Sequence, residues 1–256
     1  MMRVSGLIKA FLFFGAIFLS FENNLSASTS TSPAFYKSGI YIGIANGFSM
    51  FKGKVKNVFD DEVNGGKHSE ILANASDTRY VFELLLGARH LLKDNFILGI
   101  DISTSFAGHQ FKMDFNHDNL SLGILPPYPL PMKLTVEKQY SIVPAITIGW
   151  IFNQRFQLYG KLGLSISSFK TTLDNTRNSD GQSYSKNVTK YGIAPTLGLE
   201  YALTPNISLT LSSTYEYYKP FTIYYNRLVD LNNTDNGSNR LKLSVFTQKI
   251  GFIYKF

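Results

Sequence analysis

The chain has 256 residues, a formal charge of +7, 44% hydrophobic residues and no cysteine. Its basic residues are scattered among acidic ones, so the charge does not describe a nucleic-acid surface. A cysteine-free chain of this size is also not a small cross-linked secreted module.

Residues 1–27 set Arg3 and Lys9 ahead of the apolar run Ala10 to Phe21 and end in the small residues Ser26 and Ala27. Basic, apolar and small segments in that order are a secretory signal peptide, and the run is shorter than the roughly 20 residues of a spanning helix. Cleavage is expected near Ala27 or Ser28, leaving residues 28–256 as one domain. No later stretch is long and apolar enough for a helical span.

From there the chain alternates with period 2, the mark of strands with two unlike faces. The first segment, Gly39 to Phe51, has Ile40, Ile42, Ile44, Phe48 and Met50 on one face and Tyr41, Gly43, Ala45, Gly47 and Ser49 on the other. In the second, Thr78 to Leu91, Tyr80, Phe82, Leu84 and Leu86 oppose Glu83, Gly87 and Arg89. The third, Phe96 to about His109, sets Leu98, Ile100, Ile102 and Phe106 against Asp101, Ser103 and Ser105. The fourth, about Val136 to Phe152, sets Tyr140, Ile142, Ile146, Ile148 and Trp150 against Glu137, Gln139, Ser141 and Thr147. The fifth starts at Phe156, with Leu158, Leu162 and Leu164 opposite Tyr159, Lys161 and Gly163. Gly192 to Tyr218 forms a hairpin about Thr204-Pro205-Asn206, and Leu241 to Phe256 supplies the eighth segment, with Ile250, Phe252, Tyr254 and Phe256 on its apolar face.

These strands exceed the five or six residues usual in globular proteins, and their polar faces are too small to form a core. An eight-stranded antiparallel up-and-down transmembrane β-barrel explains both, with the apolar face toward lipid and the polar face toward a lumen. A soluble ligand-binding barrel needs the opposite orientation. Connection lengths agree: tight turns near 92–95, 153–155 and 204–206 alternate with long loops at about 52–77, 112–135, 170–188 and 219–240. Short periplasmic turns and long outer loops are the asymmetry of outer-membrane barrels, whereas soluble domains rarely hold four such loops. Phe96, Trp150, Phe152, Phe156, Tyr201, Tyr254 and Phe256 then form one interfacial girdle, and Phe48, Tyr80, Phe106, Tyr140, Tyr191, Tyr215 and Tyr217 the other. Pro144 and Pro195 remove ladder donors from inner strands, so bulges are expected there.

Ala194-Pro195, the run Leu197 to Ile207, and the closing Gly251-Phe252-Ile253-Tyr254-Lys255-Phe256 resemble the OmpA-like outer-membrane barrels. The resemblance implies insertion by the barrel assembly machinery, with Phe252, Tyr254 and Phe256 as the assembly signal. It also implies a charged lumen in which Asp101 and Glu200 are acidic members and Lys161 a basic one. Thr147 and Thr210 stand where the family's type member has lysine and arginine, so its salt-bridge gate is not carried over. No peptidoglycan-binding domain follows the barrel in this sequence, and peptidoglycan tethering is not expected.

By alternation the inward polar set is Glu83, Arg89, Asp101, Glu137, Lys161, Lys190, Glu200, Glu216 and Lys249. Charges in a narrow lumen must be paired or hydrated, which describes either a plug of ion pairs or a gated pore. Of the histidines, His68 and His117 fall in loops, His90 lies near a turn, and His109 at an outer strand end is the one candidate base. It cannot reach Ser105 within one strand, being roughly 13 Å away at strand rise.

In the first loop Lys52, Lys54 and Lys56 accompany Asp60, Asp61, Glu62 and Glu70, either a surface for a host polyanion or a solvated charged loop. Pro126, Pro127, Pro129 and Pro131 around Tyr128 stiffen the second. Asp174, Asn178 and Asp180-Gly181 lack the closing Glu of a calcium loop, and Asn232 to Gly237 is turn-rich. The expectation is a monomeric, non-enzymatic bacterial outer-membrane barrel without cofactor or nucleic-acid partner, supporting the envelope. Its contacts would be outer-membrane lipid, lipopolysaccharide and a host or environmental ligand at the loops. A small-solute porin and a lipid- or peptide-modifying enzyme are the alternatives.

Overall fold

The computed structural model describes residues 36–61, 66–92, 95–115, 132–175, 183–225 and 237–256. They form β1 (Gly39–Asp61), β2 (Gly66–Leu91), β3 (Phe96–Phe115), β4 (Met132–Ile151), β5 (Phe156–Asn175), β6 (Ser183–Ala202), β7 (Ile207–Tyr218), β8 (Phe221–Tyr225) and β9 (Gly237–Lys255). From β1 to β7 each strand pairs antiparallel with the next, β7 pairs with β9, and β9 closes the circle on β1. This is a closed eight-stranded antiparallel barrel, with the short β8 as an added segment. The signal peptide, Glu62, His117, the prolines at 126–131, Asn178, Asp180 and residues 232–236 lie outside the described residues.

Local chemistry fixes the tight turns. Asn153 Oδ1 accepts from the backbone N–H of Arg155 and of Phe156 at 2.9 Å, and Thr204 Oγ1 accepts from Ile207 N at 2.9 Å. Asn95 takes a positive φ of 65°, a conformation asparagine tolerates better than most residues. The prolines are accommodated differently from the expectation. Ile142 pairs with Ile166 and Ala145 with Gly163, an unchanged register, and the ladder lapses symmetrically around Pro144. Pro195 does the same between Ile193↔Tyr217 and Thr196↔Thr214. Each proline therefore costs ladder bonds on one side and introduces no bulge.

The β4 irregularity sits at Gln139 instead. Tyr140 pairs with Ser168 but Lys138 with Phe169, so β4 carries one extra residue there. On its other side β3 accommodates the same rung with Gly108 at φ 56°. A one-residue slip exchanges the two faces of a strand.

Two glycines are required by close approach. Tyr41 lies on Gly87 and Tyr159 on Gly198, each ring occupying the space a Cβ would fill. Gly198→Ala must displace the Tyr159 ring, and overpacking of this kind costs about 1–3 kcal/mol. A lowered urea midpoint in lipid vesicles is the expected result.

The lipid-facing set is exposed throughout the barrel, including Ile44, Leu84, Ile146, Leu162, Ile193 and Ile250. At the outer girdle this polarity inverts. In β9, Phe246, Ile250, Phe252 and Tyr254 point outward, but higher up Leu241, Leu243 and Val245 point inward and are buried while Arg240 and Lys242 are exposed. An apolar inner face and a charged outer face are what a strand needs in water, so the inversion marks where the bilayer ends. For this reason two of the four expected long loops, 52–77 and 170–188, are largely strand, with β1 and β2 continuing to Asp61 and from Gly66 and β5 and β6 to Asn175 and from Ser183, while at 112–135 β3 and β4 extend to Phe115 and from Met132.

The extension is no longer a closed barrel. Pairing of β2 with β3 stops at Phe82↔Phe106, that of β6 with β7 at Gly192↔Tyr218, and β8 pairs with β9 alone. Above those rungs β8-β9-β1-β2 and β3-β4-β5-β6 are two half-sheets packed face to face. Phe51, Val55, Leu241, Leu243 and Ile223 from one meet Phe111, Leu134, Val136 and Phe169 from the other. Across the β2/β3 seam, Asp77 Oδ2 accepts from Gln110 N at 2.9 Å in place of a ladder.

Candidate functional site

The barrel axis is filled in layers, beginning at the periplasmic mouth. Tyr36, ahead of β1, folds under the barrel among Ile97, Ile151 and Ala202. Its hydroxyl donates to Arg155 O at 2.9 Å and lies 3.2 Å from Glu200 O. The Lys255 ammonium is 4.6 Å and the Arg89 guanidinium 5.5 Å from its ring centroid, both within cation–π range.

The first charged layer centres on Glu200, only 2% exposed. Arg89 Nη1 donates to it at 2.9 Å and Lys255 Nζ at 3.1 Å, with Gln157 Oε1 accepting from Arg89 at 3.4 Å. One layer higher, Asp101 Oδ2 accepts from Thr147 Oγ1 at 2.6 Å, Lys161 Nζ at 3.0 Å and Tyr41 OH at 3.3 Å. Lys249 Nζ donates to Glu83 at 2.5 Å. From the Asp101 layer up to Glu216 runs a cavity of about 50 Å³ lined by Glu83, Asp101, Lys161, Glu216 and Lys249, among others, with room for a few waters. Thr210, at the family's arginine position, donates to Gly251 O at 3.3 Å.

The uppermost polar layer is organised by Glu216. Lys138 Nζ reaches it at 2.8 Å and Ser165 at 2.6 Å, and Tyr218 OH donates to the same carboxylate. Ser167 bonds Tyr218 OH at 2.7 Å. Here one expected residue is corrected: Glu137 is half-exposed on the outer face opposite Lys170, and Lys138 is the inward charge. The extra residue at Gln139 exchanges the faces of β4 at this point. Lys190 also points inward but higher, with its ammonium 4.3 Å from the Phe221 ring centroid.

The apolar core of the two half-sheets then caps the axis. Phe51 lies 5.0 Å from Phe111 and 6.1 Å from Phe169 by ring centroid. His109, the candidate base, is 0% exposed against Phe51 and sits above the outer girdle. Burial, and behind it the Lys138 ammonium, push its imidazole down to about 4, so it is neutral at pH 7. Neither ring nitrogen has a hydrogen-bond partner, and Ser105 bonds Ser141 instead. Among the described residues no cluster of His, Asp and Glu side chains could hold a metal ion.

Phe252 and Tyr254, on the lipid face of β9, and Phe256 just after it, the expected assembly signal, are exposed. Several lumen residues escaped the sequence. Lys255 and Lys249 share one phase of β9, so Lys255 was available from alternation; Tyr36 precedes any periodic segment and carried no signal.

No curated protein sequence matches the chain. Among solved structures it resembles the outer membrane protein OprG from Pseudomonas aeruginosa, at 17% identity and a TM-score of 0.56 over 87% of this chain and 98% of that one. It also resembles the outer membrane protease OmpT from Escherichia coli, at 13% identity and a TM-score of 0.52 over 91% of this chain and all of that one. At such identities the likeness shows the fold alone. The family model for the outer membrane protein beta-barrel domain matches residues 25–256, so the chain belongs to that family and resides in the bacterial outer membrane.

Proposed function

We propose that this barrel does not conduct and is not an enzyme. In this reading it supports the envelope and holds a rigid extracellular β-sandwich whose tips engage a host or environmental ligand. The observation that carries the reading is the layered filling of the axis, from Tyr36 through the Glu200, Asp101 and Glu216 layers to the Phe51 core, with one cavity of about 50 Å³ among the polar layers. A solute would have to break buried ion pairs and then part an apolar core. The cap itself supports the display half of the reading, because a lipid-spanning barrel alone has no use for a second, water-type core beyond the girdle.

Planar-bilayer recording of the folded protein tests it. The expected result is no stable conductance step in the wild type, in Lys161→Gln or in Glu200→Gln. A wild-type step that either substitution alters would favour the small-solute porin. On the enzyme side, His109→Ala is expected to leave any lipid or peptide turnover of the preparation unchanged; turnover lost in that variant would reverse the assignment. For display, whole cells should lose ligand adhesion when the half-sheet tips are trimmed by protease, with residues 192–203 remaining intact.

A further inference from the structure

The outer surfaces of the two half-sheets differ in charge, and the difference is set by register. On β3-β4-β5-β6 opposite signs face each other: Glu137 is the partner of Lys170, and Lys133 is the partner of Asp174. On β9-β1 like signs do: Lys54 is the partner of Lys242, and Lys56 of Arg240, with Lys52 one outward position below. Lys52, Lys54, Arg240 and Lys242 are all exposed. Along the β2 flank the outward neighbours are Asn74, opposite Lys54, and Ser76, opposite Lys52. On the β8 flank Arg240 faces Thr222. No carboxylate intervenes at these rungs, and the first acidic position on β1 above them is Asp60.

Directly opposed like charges destabilise a ladder, so this face is complete only with an anion on it. Its height says which anion. Met50 and Phe246 are partners and form the last apolar rung of the lipid face, beside the aromatic pair Phe48 and Tyr80. Lys52 follows two residues up and the Lys54/Lys242 rung four, roughly 7 and 13 Å along the strand. At a barrel tilt of about 40° these lie roughly 5 and 10 Å above the hydrocarbon, within and just beyond the polar headgroup layer.

We infer that the β1/β9 face above the outer girdle is a binding site for the phosphate groups of the outer leaflet's lipopolysaccharide. The cations clamp the headgroup while Phe48, Met50 and Phe246 below them meet its acyl chains. The sandwich is thereby held against the membrane along one half-sheet, leaving the charge-balanced half-sheet free. This inference is independent of what the tips bind.

The test uses the full-length protein folded in phosphatidylcholine nanodiscs doped with phosphorylated lipid A or with its dephosphorylated form, with retained lipid measured by mass spectrometry. The wild type is expected to retain the phosphorylated form at least tenfold over the other. The preference should fall below twofold in K52Q/K54Q/R240Q/K242Q and remain in K112Q/K170Q on the opposite half-sheet. The four clamp cations and Lys112 are exposed and Lys170 is half-buried, and heat-modifiable gel mobility verifies folding. As a check that needs no variant, wild-type preference should fall as salt rises from about 0.05 to about 0.5 M, where the screening length shortens severalfold. Equal retention of both lipids, a preference that survives the fourfold variant, or a salt-insensitive preference would overturn the site. Tight binding of inorganic tripolyphosphate in discs without lipid A would overturn the lipid assignment in favour of a soluble polyanion.

Discussion

Glu200→Ala is expected to destabilise the barrel by about 3–5 kcal/mol, the cost of leaving buried charges without their counterion. The substitution removes the carboxylate that Arg89 and Lys255 share, in a layer where Arg89 and Glu200 are almost fully enclosed. Water cannot readily replace it, because Tyr36 seals the layer from below and Asp101 and Lys161 from above. Trp150, the single tryptophan, lies exposed at the periplasmic girdle and reports unfolding by fluorescence in urea-treated vesicles. A midpoint within experimental error of wild type would mean that the layer is hydrated and Glu200 is not structural. Glu200→Gln keeps an acceptor but not the charge, and should fall between the two.

Phe51→Ala is expected to act elsewhere. Phe51 is fully buried between the half-sheets and touches both Phe111 and Phe169. Large-to-small changes of this kind cost about 3–5 kcal/mol, and here the loss falls on the part of the fold outside the bilayer. The girdle and the lumen layers make no use of Phe51, so the Trp150 unfolding transition should move little. The change should be read instead as new protease cleavage on intact cells within residues 52–77 and 111–115, and as faster amide exchange there. Unchanged cleavage would show that the cap is held by its ladders rather than by its core.

The membrane part of this fold is legible because lipid enforces one simple rule on every strand. Ile40 to Ile44 and Ile250 to Phe256 each alternate without a break, and the inward phase of those strands follows at once. What the alternation hides is any change of phase. Leu241, Leu243 and Val245 obey the rule for water while Ile250, Phe252 and Tyr254 obey the rule for lipid, so a search for one face misses that both belong to β9. The same effect made loops of the extensions of β1 to β6. Gln139 is a subtler case: one inserted residue moves Lys138 inside and Glu137 out, and nothing in the residue types around it announces the insertion. Pairing partners are beyond alternation altogether, since Arg89 and Glu200 meet only because β2 and β6 face each other across a closed lumen.

Tyr36 also bears on the order of assembly. Its hydroxyl contacts groups 119 and 164 positions away in the chain, in the β4–β5 turn and at the end of β6, and its ring meets the Lys255 side chain on the last strand. Those groups share one place only after the final strand has joined the first. Tyr36 is therefore the last piece to seat, and an unclosed barrel leaves this tyrosine without its pocket.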